Sequence, residues 1–199
     1  MADNRRGRDK QARDADRRQR ERAIATELER MDEPEPPLEP SDLAAVEAEL
    51  EEVSFPATGA EIVRAVGDEP LEGEEVTYTV AELTPDTESE TFESPAALRR
   101  QIQRPTIAAA MKAVIEATAT DRDVELTDSQ REAYEKTFRE LKAIDADDDD
   151  EGIAVIRDWI VDQVTEKGKL PGSRGVRREA AKFCRENGYE IRNDEWLGI

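Results

Sequence analysis

The sequence predicts an α+β protein that is mainly α, a small unit with a β-hairpin followed by a C-terminal helical bundle. Three observations carry that expectation. After residue 40, apolar residues recur at helical spacing in most segments, and one stretch, VTYTVAEL (76–83), alternates with the period of a strand. TGAE (58–61) and TDSQ (127–130) have the form of capping boxes, in which a Thr hydroxyl and a Glu or Gln three residues on serve each other's backbone N–H. Prolines and glycines stand where those patterns begin and end.

Residues 1–40 are expected to form a disordered basic arm and a Pro-rich spacer. The first 22 residues hold nine bases and five acids, and apolar residues there are mostly alanine, so no broad face exists to bury. DEPEPPLEP (32–40) carries four prolines in nine residues and reads as extended chain.

Residues 41–104 read as the small α+β unit. Ser41 can cap a short helix bearing Leu43, Val46 and Leu50, which Phe55-Pro56 ends. Thr58 opens a second helix burying Ile62, Val63 and Val66, with Gly67 suited to a left-handed close. VTYTVAEL places Val76, Tyr78 and Val80 on one face of a strand, and a turn at Thr84-Pro85-Asp86 would fold ETFE (90–93) back beside it. Ser94-Pro95 starts another helix and Arg104-Pro105 ends it.

Residues 105–199 read as a helical C-terminal domain. Ile107, Met111, Val114 and Ile115 form one stripe, and Tyr134, Phe138 and Leu141 another behind TDSQ. The acidic run DADDDDEG (145–152) precedes a helix with Ile153, Ile156, Trp159, Ile160 and Val164 inward. KLPGSRG (169–175) turns the chain into a last helix burying Val176, Ala180, Phe183 and Cys184, closed by Gly188. Tyr189, Ile191, Trp196, Leu197 and Ile199 read as a tail packed back on the bundle.

Composition excludes several chemistries. Without histidine the chain lacks the usual proton shuttle at neutral pH, and Ser-His-Asp or Cys-His machinery is absent. A single cysteine permits neither an intrachain disulfide nor a cysteine-based zinc site. No run of apolar residues is long enough to span a bilayer, so neither a membrane span nor a secretory signal is expected. Acids number 49 against 29 bases, for a net charge of −20. Acid excess, arginine over lysine and few large apolar residues resemble the cytoplasmic proteins of salt-accumulating archaea, whose charges repel in dilute buffer and are screened in molar salt.

A resemblance points the same way. QREAYEKTFRELKAIDADDDDEGIAVIRDWIV and LPGSRGVRREAAKFCRENGYEIRNDEWLGI, with the basic arm, FPATGAEIV (55–63) and QRPTIAAAMK (103–112), resemble a family of small acidic haloarchaeal proteins of unknown function. The resemblance implies a cytoplasmic, halophilic protein and carries no activity with it.

Two constellations stand out. Asp147, Asp149 and Glu151, followed by Gly152 and Asp158, follow the outline of a calcium loop, with acids at positions one, three and five, Gly at six and an acid at twelve. The plainer reading is an acidic helix start, favoured by the unpaired amides and dipole there. The second is the basic run from Lys167 to Arg185, with seven Lys or Arg against Glu179. Arg174, Arg177, Arg178, Lys182 and Arg185, with Trp196, are the candidate residues for binding a protein partner or nucleic acid. The same cations can instead pair with the chain's own acids at Asp145–Glu151 or in the helix at 41–52.

IAVIRDWIVDQVTEKGKLPGSRGVRREAAKFC is similar in outline to the opening of winged-helix regulators of the GntR type. The residues after Gly188 are too few for the recognition helix that those domains place in the major groove. Cys184 packs as a small apolar residue at helical spacing with Val176 and Ala180. The sequence therefore points to a non-catalytic binding or adaptor protein of a high-salt cytoplasm, needing no cofactor, with nucleic-acid association as the alternative. A divalent-metal-dependent enzyme or calcium-binding protein is the third reading.

Overall fold

Eight helices and two short antiparallel strand pairs make up the described residues, so the fold is α+β and mainly α. The computed structural model describes residues 35–72, 76–121, 123–144 and 150–189. The basic arm, the first part of the Pro-rich spacer, Asp147, Asp149 and the tail with Ile191 and Trp196 lie outside the described residues.

The α+β unit begins with α1 (Ala44–Leu50), which buries Val46 and Leu50 behind a buried Leu43. Ser41 does not cap it: its hydroxyl donates to Asp42, whose carboxylate accepts from the Glu39 amide and holds a preceding turn. Strand β1 (Ala57–Thr58) leads into α2 (Gly59–Val66) through the expected capping box. Thr58 N donates to the Glu61 carboxylate at 2.8 Å, and Glu61 N donates to the Thr58 hydroxyl at 3.2 Å. Thr58 N and the Thr58 hydroxyl both donate to the Glu61 carboxylate and hold it below its ordinary range. A Cβ on Gly59 would overlap the Pro85 carbonyl oxygen, because the 85–90 loop lies directly over the start of α2. Gly67 closes the helix with φ −60, a right-handed rather than left-handed conformation, and the chain continues into a turn.

The strand pairing differs from the expectation. β2 (Pro70–Glu72) and β3 (Thr77–Thr79) form the hairpin, with Leu71 opposite Tyr78. ETFE instead supplies β4 (Thr91–Phe92), which pairs with β1. VTYTVAEL is a strand only to Thr79, because Thr79 and Glu82 form a further capping box that opens α3 (Val80–Leu83). Val80 is buried as the first residue of that helix, while Val76 is 55% exposed. Ser94 then caps α4 (Pro95–Ile102) by accepting from Ala97 N, and Pro95 occupies the first turn, where its missing N–H costs nothing.

The remaining helices are α5 (Pro105–Ala119), α6 (Asp128–Ile144), α7 (Glu151–Lys167) and α8 (Ser173–Glu186). Thr127 and Gln130 form the second expected capping box at the start of α6. Lys142 near the end of α6 pairs with Asp150, the residue before α7, at 2.8 Å. Asp150 adopts a left-handed conformation (φ 56), which a short polar side chain tolerates. The left-handed close that Gly67 lacks occurs at Gly168, with φ 58, and ends α7.

Two apolar clusters result. One gathers Leu43, Ile62, Leu71, Val80, Leu83, Phe92, Leu98 and Ile102 from the α+β unit. The other gathers Met111, Val114, Tyr134, Phe138, Ile156, Ile160, Val176 and Cys184 from the four long helices. α5 serves both, with Ala108 in the first and Ile107, Ala110, Met111 and Val114 in the second. Nine of its fifteen residues are buried, as expected of a helix whose sequence is apolar on every side. Trp159 and Tyr189 are half-buried at the edge of the second cluster, where Tyr189 stacks on Phe183 with ring centroids 6.0 Å apart. Among the described residues, no helix is long and apolar enough to cross a membrane.

Candidate functional site

A cleft of about 560 Å³ opens where β4, α4 and the start of α5 meet α6. Its apolar lining is Phe92, Ala97, Ile107, Ala108 and Met111, so the floor is made by the same helix that joins the two cores. Its charged lining comes largely from α6. Tyr134, Phe138 and Leu141 turn one face of that helix into the core, and Asp128, Arg131, Glu132, Glu135 and Arg139 recur at three- and four-residue spacing on another. Arg100 and Gln101 of α4 and Arg104 complete the rim.

One ion pair ties the two walls. Arg131 Nη2 donates to both carboxylate oxygens of Glu90, at 2.8 and 2.9 Å, and both side chains are largely buried. One guanidinium nitrogen shared by both carboxylate oxygens makes a charge-assisted contact that fixes the distance between the walls. Arg131 Nη1 also reaches the Gln101 side-chain carbonyl at 3.5 Å, leaving the buried Gln101 Nε2 with no acceptor.

Glu135 lies half-buried between these groups. Burial pushes its carboxyl above the ordinary carboxylate range, against the opposing pull of Arg131, Arg139 and Arg104. Neither the Glu135 nor the Arg139 side chain forms an ion pair or hydrogen bond among the described residues, although they stand one helical turn apart. The cleft thus offers an unpaired carboxylate and an unpaired guanidinium beside the apolar edges of its floor.

The candidate residues on α8 form a separate face. Arg174, Arg178, Lys182 and Arg185 are all exposed and fall within one stripe of the helix, while Val176, Ala180, Phe183 and Cys184 face the core. Arg177 is half-buried beside them, its Nε donating to Ser173 O at 3.4 Å. Lys182 pairs with Glu179 at 2.8 Å, and that bond raises the lysine's pKa. Among the described residues no ion pair involves Arg174, Arg178 or Arg185.

Of the calcium-loop residues, Glu151 and Asp158 are exposed on α7, seven residues and therefore about 10 Å apart along its axis. The loop's fifth position is already the first residue of a helix, because Ile153 and Ile156 draw the chain into the core there. Among the described residues, no group of three or more acids or cysteines is placed to hold a metal ion.

Comparison with known proteins adds one finding. Residues 37–117 match the model of a family of unknown function, DUF5789. The match spans the α+β unit and nearly all of α5, including the cleft residues from Glu90 to Met111, and stops before α6. No curated protein and no solved structure matches the chain.

The cleft is the feature that sequence reasoning missed. Its signal, charges at three- and four-residue spacing along α6, is also the pattern of any solvated helix face. Its other wall comes from Glu90 and Gln101, 41 and 30 residues away in the chain.

Proposed function

We propose that this is a non-catalytic binding protein of a high-salt cytoplasm that docks an acidic protein partner on the exposed basic face of α8. The observation that carries this reading is the state of Arg174, Arg178 and Arg185, which are exposed and form no ion pair among the described residues, in a chain of net charge −20. Abundant acid elsewhere in the same chain makes unpaired outward arginines costly to explain as fold bracing. Charge complementarity favours an acidic surface and chiefly sets the rate and specificity of encounter.

Nucleic acid is the competing anion. The stripe spans about 16 Å of helix axis, enough for only a few phosphates. Glu179 and Glu186 interrupt its flank, and the body of the protein repels a polyanion longer than the stripe.

The test is capture from native extract at high KCl, with and without nuclease, using the wild type and a variant with Arg174→Glu, Arg178→Glu and Arg185→Glu. An acidic protein retained by the wild type through nuclease treatment, and lost by a variant that melts like the wild type, supports the reading. Loss on nuclease treatment replaces it with nucleic-acid association. A variant that unfolds returns the arginines to fold bracing.

A further inference from the structure

We propose that the cleft between α4, α5 and α6 binds a small zwitterion with an apolar body, the class to which amino acids and dipeptides belong. Three unpaired groups of opposite character share one cavity. Arg139 and Arg100 supply guanidinium groups that form no ion pair among the described residues. Glu135 supplies the half-buried carboxylate. A ligand carboxylate is matched by the guanidinium of Arg139 and a ligand ammonium by Glu135.

The spacing fits. Glu135 and Arg139 lie one turn apart on α6, with Cβ atoms about 5–6 Å apart, and the two termini of an extended dipeptide are separated by about 7 Å at most. Phe92, Ile107, Ala108 and Met111 are buried in the cores, and the edges they turn to the cleft, with half-buried Ala97, give an aliphatic side chain a small apolar surface. The cavity volume is within the range of small-molecule sites, roughly 300–1,000 Å³. A simple anion leaves Glu135 facing a like charge, and a simple cation leaves Arg139 doing so. A ligand bearing both charges complements both groups at once.

Leucyl-leucine is the probe, with its N-acetylated form as the pure anion and its C-terminal amide as the pure cation. Each is titrated into the full chain, with binding followed by calorimetry and by the amide resonances of Ala97, Gln101 and Ala108. The dipeptide should bind and shift those resonances. Each blocked form should bind at least roughly tenfold more weakly, and Glu135→Gln and Arg139→Gln should each weaken the dipeptide by a similar factor. Both variants alter side chains outside the apolar clusters, and their melting curves serve as the check that they fold. Absence of dipeptide binding at millimolar concentration overturns the proposal. So does dipeptide binding that both variants leave unchanged, or tighter binding of the acetylated form, which makes the cleft an anion site.

Discussion

At the level of single residues, the threonine caps decide where strands give way to helices. Thr79 is the clearest case: its hydroxyl accepts from Glu82 N, and Thr79 N donates to the Glu82 carboxylate at 2.7 Å. Thr79→Ala should destabilise the protein by about 1 kcal/mol in a denaturant titration, the usual value of an N-cap. Thr58→Ala should do the same at α2, whereas Ser41→Ala should leave stability unchanged because Ser41 caps nothing. These caps were legible at Thr58, Thr127 and Ser94. The cap at Thr79 was written in the same letters, TVAE, and was hidden by the alternation of Val76, Tyr78 and Val80. A period of two over five residues cannot outweigh a capping box that places Val80 in the core. Glu135 supplies a prediction of pH dependence. Burial raises its folded pKa above the ordinary value of 4.5, so the ionised form disfavours the folded state. Glu135→Gln should therefore raise the melting temperature at neutral pH, with the gain shrinking as the pH falls through the raised folded pKa and gone well below 4.5. A gain that persists unchanged in acid would place its origin elsewhere.

Among the elements, α5 has the largest consequence. It packs most extensively on α7, and it also touches α3 and α4 of the α+β unit. Its alanines are small where the first cluster approaches, and its Ile107, Met111 and Val114 are large where the bundle needs filling. Met111→Ala should cost about 2–5 kcal/mol, the range for a fully buried side chain truncated in a core. Because α5 serves both clusters, that variant should speed amide hydrogen exchange in α2 and α4 as well as in α6 and α7. Faster exchange confined to α6 and α7 would mean that the clusters open separately. The helices themselves were readable from apolar spacing, since Ile62, Phe138, Ile156 and Val176 are all buried where the pattern puts them. Strand partners were not readable, because two-residue strands carry no register signal and their pairing is set by how the 85–90 loop covers Gly59. The cleft was hidden for a related reason. A charged stripe on α6 acquires walls only once α4 and β4 fold against it.

On the scale of the whole molecule, charge sets the conditions under which the fold is stable. The net charge of −20 acts against compaction at any pH where the carboxylates are ionised. The observed ion pairs relieve little of it: Arg99–Glu47, Arg157–Asp158 and Lys182–Glu179 are substantially exposed, and pairs of that kind contribute about 0–1 kcal/mol each. Arg131–Glu90 and Lys142–Asp150 are more buried, and they join elements rather than cancel surface charge. Long-range repulsion is therefore the largest electrostatic contribution, and it is the one most sensitive to salt. Raising KCl from about 0.01 M to about 1 M shortens the Debye length from about 30 Å to about 3 Å, less than the spacing of most surface carboxylates. The melting temperature should rise steeply across that range, with choline chloride as effective as KCl at equal ionic strength. Screening does not distinguish between cations. If KCl stabilised and choline chloride did not, specific cation binding by the carboxylates would replace screening as the cause. A melting temperature indifferent to both salts would mean that the two apolar clusters, joined through α5, hold the fold without help from the solvent.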